Sequence, residues 1–209
     1  AASRCPGGGS CLYLADMGDN LERRPAGGIS IRRLEEPDLT SPNFTDNFNG
    51  RLPELDSEVF PVRLPDGPRD IEALLVLPEE EIYVITKGRN GPVTVYRYPP
   101  PLRHDTVTLE LVQELSSGAR VIPRQVTGAS VSPQGNIIVL RTYESLQFYE
   151  FVANKLIPLR DGDINLRSLR EAQGEGVAIG TDGLLVLTSE AAAGKPPQMN
   201  LMHCNTEIF

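Results

Sequence analysis

Apolar positions in this chain come in short, strand-sized runs, and three of those runs repeat one another. They are Ile71-Glu72-Ala73-Leu74-Leu75-Val76-Leu77-Pro78, Val126-Thr127-Gly128-Ala129-Ser130-Val131-Ser132-Pro133 and Gly174-Glu175-Gly176-Val177-Ala178-Ile179-Gly180-Thr181. A polar turn and a second apolar run follow each one: Ile82-Tyr83-Val84-Ile85-Thr86, Ile137-Ile138-Val139-Leu140-Arg141 and Leu184-Leu185-Val186-Leu187-Thr188. Leu12-Tyr13-Leu14-Ala15-Asp16 reads as another second run, which puts Asp16, Thr86, Arg141 and Thr188 in one register. Third runs at 28–34, 93–98, 146–151 and 199–203 alternate or are rich in β-branched and aromatic residues, as strands with one packed face require. Fourth runs at 58–64, 109–114 and 155–159 follow; Pro61 and Pro158 in two of them fit outer edge strands.

A strand–turn–strand unit recurring every 40 to 50 residues or so predicts an all-β propeller of four-stranded antiparallel blades. The chain reads as one domain over 1–209, or part of one, with units at 11–69, 70–124, 125–172 and 173–209. The turns agree. Pro133-Gln134-Gly135-Asn136 and Thr181-Asp182-Gly183 are hairpin chemistry, whereas Pro78-Glu79-Glu80-Glu81 lacks Gly and reads as type I. Residues 38–53 read as a long loop, and 164–172 as one short helix capped by Asp163. Three and a half to four blades are visible, the first without an evident inner strand ahead of Cys5. Either that unit is an incomplete blade closed by the C-terminus, or upstream blades lie outside this chain. Open blade edges would then invite a homodimer.

Net charge is −8, with 20 Lys and Arg against 28 Asp and Glu, which argues against a nucleic-acid partner. No run reaches the ~18 apolar residues of a membrane helix. The opening Ala-Ala-Ser-Arg-Cys has no apolar leader segment, so a leader has been removed or the chain starts inside a longer frame. Cys5 and Cys11 flank a Gly-rich loop short enough for a disulfide, which would place the protein in an oxidising compartment; two free thiols are the alternative. Cys204 is left over.

Candidate chemistry follows from the repeat. Glu72, Thr127 and Glu175 stand 55 and 48 residues apart at equivalent inner-strand positions, so they should share one end of the central channel. Carboxylates gathered there repel unless a cation intervenes, and Ca²⁺ takes six to eight oxygens. Asp16, Asp19, Asn20 and Asp70 are candidates to complete a calcium site with Glu72 and Glu175. The alternative is that Glu72 and Glu175 accept backbone hydrogen bonds from neighbouring blades and lock them. Asp16-Met17-Gly18-Asp19-Asn20 opens like a Ca²⁺ loop but lacks the downstream Glu of an EF-hand. It also reads as an Asx-rich hairpin with Gly18 at positive φ and Arg24 pairing Asp16 or Asp19. Lys87 and Arg141 end second strands and are candidates for binding an anionic ligand, or else form ion pairs. No Gly-x-Ser-x-Gly occurs, and the two histidines, His104 and His203, support no nucleophilic triad.

The segment from Cys5 through Asp16-Met17-Gly18-Asp19-Asn20, Arg24 and Ile29-Ser30-Ile31-Arg32-Arg33-Leu34-Glu35-Glu36-Pro37 resembles a family of uncharacterised bacterial secreted propellers. That family carries an Asp-Ile-Gly-Asp-Asn…Arg…Tyr-Arg…Glu-Pro pattern; here Met17 replaces the aliphatic residue and Arg32 or Arg33 stands near the Tyr. Asp70-Ile71-Glu72-Ala73, Val126-Thr127-Gly128-Ala129, Leu140-Arg141-Thr142-Tyr143 and Gly174-Glu175-Gly176 also match in order. The resemblance implies a secreted or periplasmic bacterial protein. It also implies an N-terminal Trp-Glu-Asp element that is absent here, as is any Trp, so the chain reads as a fragment or a shortened version. More distantly, the Glu-bearing inner strands resemble propeller phytases and gluconolactonase-like lactonases, which use calcium. Three functions fit: a ligand-binding or interaction module with a small-molecule or anionic ligand, a metal-dependent hydrolase using Glu72 and Glu175, and a dimerisation scaffold.

Overall fold

The computed structural model describes residues 1–41, 54–115 and 125–204, and these form four small sheets that make the blades of a propeller. The first blade contains β1 (Ala2–Arg4), β2 (Ser10–Asp16), β3 (Ile29–Glu35) and β4 (Glu58–Arg63), with β8 (Val107–Thr108) added parallel to β4. The second holds β5 (Ile71–Leu77), β6 (Glu81–Thr86), β7 (Val93–Arg97) and β9 (Glu110–Leu115). The third is β10 (Val126–Val131), β11 (Ile137–Thr142), β12 (Ser145–Val152) and β13 (Lys155–Asn165). The fourth has three strands among the described residues: β14 (Gln173–Ile179), β15 (Leu184–Glu190) and β16 (Gln198–His203).

Several expectations change. The first blade does have an inner strand: Ala2, Ser3 and Arg4 pair with Leu12, Cys11 and Ser10. Its three residues are too short to show periodicity, and the Cys5–Cys11 disulfide turns the chain straight back into β2. The predicted helix at 164–172 is the end of β13 followed by a 3₁₀ turn at Arg167–Leu169. Asp163 and Ile164 keep pairing with Gln147 and Leu146, so Asp163 is a ladder residue, not a cap. The β5–β6 turn is not type I, because Glu79 and Glu80 have φ of 62° and 61°. Pro78, Glu79 and Glu80 lie between the paired Leu77 and Glu81, and the two left-handed residues turn the chain back within this three-residue loop. Gly135 and Gly183 take positive φ as their turns require, but Gly18 does not. Of the long loop expected at 38–53, residues 42–53 lie outside the described set.

Each strand alternates its side chains between two faces, and each blade uses both. Tyr13, Ile31, Phe60 and Val62 of the first blade meet Val76, Ile82, Val84 and Tyr96 of the second. Leu75, Tyr83, Ile85 and Val95 meet Val126, Ile138, Leu140 and Leu156 across the next interface. Val139, Leu146 and Phe148 meet Ile179, Leu185 and Leu187 across the third. Removing this apolar surface from water is the main force holding the blades side by side. Four blades thus enclose three cores. No strand of the fourth blade packs extensively on the first among the described residues, so the blades form an arc.

Candidate functional site

Three inner strands carry the same irregularity. Pairing between β5 and β6 slips at Glu72, between β10 and β11 at Thr127, and between β14 and β15 at Glu175. Each is the extra residue of a β-bulge, which lifts a side chain out of the regular alternation and aims it away from the blade cores. The three residues aligned from sequence are therefore equivalent in space at the starts of their strands. The same pairing sets the second strands. Thr86, Thr142 and Ser189 face Ile71, Val126 and Gly174, so Arg141 and Thr188 stand one residue before the Thr86 position, not level with it. Lys87, Tyr143 and Glu190 are the true equivalents, one step beyond.

Around this end of the arc the polar groups reach from blade to blade. Lys87 is buried; its Nζ lies 3.0 Å from Glu72 Oε1, 4.0 Å from Asp70 Oδ2 and 5.6 Å from the centroid of the Tyr143 ring. Burial works against its charge, but the Glu72 hydrogen bond and carboxylate outweigh that and hold the ammonium protonated above the usual lysine range. Thr127 Oγ1 donates to the Gly174 carbonyl at 2.7 Å. Arg141 is fully buried; it donates from Nη1 to the Gly176 carbonyl at 2.7 Å and pairs through Nη2 with Glu171. Glu171 also accepts from Asn200 Nδ2 at 2.9 Å. Sequence reasoning missed Glu171, because it precedes its strand in a segment read as helix.

Glu175 is the exception. Half-buried, its carboxyl group makes no hydrogen bond among the described residues and is pushed above the usual range. Burial is the main cause; the Lys87 charge pulls the other way, and the charges of Glu72 and Glu190 push the carboxyl up further against Arg141. Space is tight here: a Cβ on Gly174 would collide with Arg141 Nη2 and come within 2.8 Å of Glu171 Oε2, so only glycine lets the guanidinium lie against that backbone.

The six candidate calcium ligands do not converge. Asp70 takes the Asp19 N–H on Oδ1 at 2.8 Å, Asp19 Oδ2 takes the Arg24 N–H at 2.6 Å, and Asp16 pairs Arg24 Nη1 at 2.8 Å. Asn20 is exposed, and Glu72 and Glu175 lie with Lys87. No three His, Cys, Asp or Glu among the described residues stand close enough to hold a metal ion. The carboxylates are compensated by Lys87, Arg24 and Arg141 instead.

At the opposite ends of the same inner strands lies a cavity of about 640 Å³. Ala2, Ser3 and Arg4, then Leu74 to Val76, Ala129 to Pro133 and Val177 to Ile179 wall it, so every blade contributes its innermost strand. Runs of consecutive residues line it because the inner strands present their unpaired edges to the axis. Backbone N–H and C=O groups alternate there with Leu74, Val76, Val131, Val177 and Ile179, and Arg4 adds a positive charge.

This combination of blades, bulged inner strands and an axial cavity defines a β-propeller. No family model and no curated protein matches the sequence. Solved structures share the fold. A candidate 6-phosphogluconolactonase from Bacteroides uniformis superposes with a TM-score of 0.54 at 11% identity, over 99% of this chain and 67% of its own. A luciferin-regenerating enzyme gives 0.51 at 13% identity, over 95% of this chain and 58% of its own. At such identities the likeness is one of fold, and the chain spans little more than half of the second protein's length.

Proposed function

We propose that this chain is a non-enzymatic ligand-binding propeller that works outside the cytoplasm and holds a small molecule on its axis. The observation that carries the reading is the cavity of about 640 Å³ walled by the inner strands of all four blades. Its size falls in the range of small-molecule sites, and its walls are mainly apolar with a few convergent polar groups. Arg4 and the exposed strand-edge N–H groups favour a ligand with an apolar body and an anionic group. At the other end, Lys87 and Arg141 are committed to Glu72 and Glu171 and are not free for an external anion. Of the candidate calcium ligands, Asp16, Asp19, Asp70 and Glu72 are engaged by Arg24, Lys87 or backbone N–H groups. The Cys5–Cys11 disulfide supports an oxidising compartment, and no helix among the described residues is long and apolar enough to cross a membrane.

The test is binding of 1-anilinonaphthalene-8-sulfonate, an apolar anion, followed by fluorescence and by hydrogen exchange. Saturable binding that slows exchange at Leu74 to Val76, Ala129 to Val131 and Val177 to Ile179 is the expected result. Protection confined to other segments, or turnover of a phosphoester or lactone that chelation abolishes, would overturn it, the latter in favour of a metal-dependent hydrolase.

A further inference from the structure

The first two blades also meet around a smaller cavity of about 70 Å³, separate from the axial one. Its walls come from two connections. Asp19 and Arg24 to Ala26 lie between β2 and β3; Arg63 ends β4, and Leu64 and Gly67 to Arg69 lead from it to β5. These walls are fixed in place. Ile29 and Leu64 belong to the core shared by the two blades, and Pro25 and Pro68 have restricted φ. The Asp19 N–H donates to Asp70 Oδ1 at 2.8 Å, which ties the first connection to the residue just ahead of β5.

Arg24, Arg63 and Arg69 line this cavity against the single carboxylate of Asp19, in a chain whose net charge is −8. The carboxylates nearby are engaged elsewhere or hold their arginines loosely. Asp19 Oδ2 accepts the Arg24 N–H at 2.6 Å. Asp66 accepts the Tyr96 hydroxyl, 2.8 and 2.9 Å from its two oxygens, and stands 3.4 Å from Arg69 Nη2. Arg24 pairs with Asp16 where both side chains reach solvent, and a pair of that kind contributes little. Arg63 has no carboxylate within ion-pair distance among the described residues. Its Nε donates to Thr108 Oγ1 at 2.6 Å, and both of its terminal nitrogens are without a partner among them.

We propose that this pocket binds a tetrahedral oxyanion, a phosphate or sulfate group. The guanidinium fork matches such oxygens with charge-assisted hydrogen bonds, and arginines from two separate connections suit a tetrahedral anion better than a flat carboxylate. The volume is several times the space that one water needs, which suits a group of that size. The site is independent of the axial cavity and of any ligand held there.

Nuclear magnetic resonance titration at constant ionic strength, with inorganic phosphate, phenyl phosphate and acetate, tests this. Phosphate should give saturable shifts at the amides of Arg24, Ala26, Gly67 and Arg69, with acetate about tenfold weaker or more. Phenyl phosphate binding more tightly than inorganic phosphate would assign the site to the phosphate group of a larger molecule; the reverse order would assign it to the free anion. Arg63→Gln leaves no carboxylate unpaired, so it should keep the fold while weakening phosphate about tenfold or more. Arg160→Gln, at an exposed position on β13 of the third blade, should leave binding unchanged. Absence of saturable shifts at these amides would overturn the proposal. So would acetate binding as tightly as phosphate, phosphate binding that survives Arg63→Gln, or equal weakening by Arg160→Gln.

Discussion

Lys87 Nζ lies 3.0 Å from Glu72 Oε1, and this pair sits where the second blade meets the third. The lysine backbone belongs to the same junction: its N–H donates to the Asp70 carbonyl at 2.8 Å, and its carbonyl accepts from Val126 N at 2.9 Å. The ammonium also faces the Tyr143 ring of the third blade. A residue that sequence reasoning offered to an external anion is thus a fastening between blades. Its partner is one of the carboxylates offered to a metal.

Replacing Lys87 by Met keeps the buried stem and removes the charge. Glu72 then loses its hydrogen bond, and Glu72 and Glu175 are left without the cation between them. Because Glu72 keeps some access to water, with its side chain 24% exposed, the loss should be about 2 kcal/mol, below the cost of a fully buried orphan charge. Denaturant unfolding measures it. Adding Glu72→Gln should recover a large part, and a double-mutant cycle in which the two losses simply add would show that the pair is not coupled.

The repeat of inner strands made the blades and the equivalence of Glu72, Thr127 and Glu175 readable from sequence, because side-chain alternation and turn chemistry are local. What the residues touch was not readable. Glu171 reaches Arg141 across 30 residues, and Asp70 reaches the Asp19 backbone across 51. The one-residue slip in the second strands has another origin: Ile137 and Leu184 begin their apolar runs at the place that the polar Glu81 holds in β6, so aligning the runs by their first apolar residue misplaces Arg141 and Thr188 by one. The three-residue β1 was invisible because three residues establish no period.

Gly174→Ala tests the Arg141 fastening without touching a charged residue. The new methyl would occupy space now filled by the guanidinium, whose Nη1 must stay 2.7 Å from the Gly176 carbonyl to keep its hydrogen bond. Displacing Arg141 leaves a buried ion pair misaligned, and a loss of about 3 kcal/mol is expected. Thermal or denaturant unfolding reads it; an unchanged midpoint would mean that the third and fourth blades can part locally at no cost.

Cys5 and Cys11 are both buried and close a loop at the base of β1. Replacing both by Ala frees that loop and should cost about 2 kcal/mol, as expected for so short a cross-linked segment. The loss should be local. Ala2, Ser3 and Arg4, with Ala1 bonded to Tyr13, are all that pairs this short strand to β2, so the β1 amides should exchange freely in the variant while β5 and β10 keep their protection. Hydrogen exchange that stays slow at β1 would show that pairing with β2 holds the strand unaided.

Glu175 gives stability a pH dependence of defined sign. Burial and the charges of Glu72 and Glu190 raise its folded-state pKa above the ordinary 4.5, so the folded protein holds this proton to higher pH than the unfolded chain does. Its contribution is therefore complete below about pH 4.5 and is lost as pH rises through the folded value. Glu175→Gln keeps the shape and never ionises. The variant should match the parent near the acid end and become the more stable of the two toward neutral and alkaline pH, as denaturant midpoints taken across the range will show. If instead the substitution destabilises the protein at neutral pH, Lys87 and Arg141 outweigh the burial of the carboxylate, and Glu175 is a third fastening at the mouth of the channel.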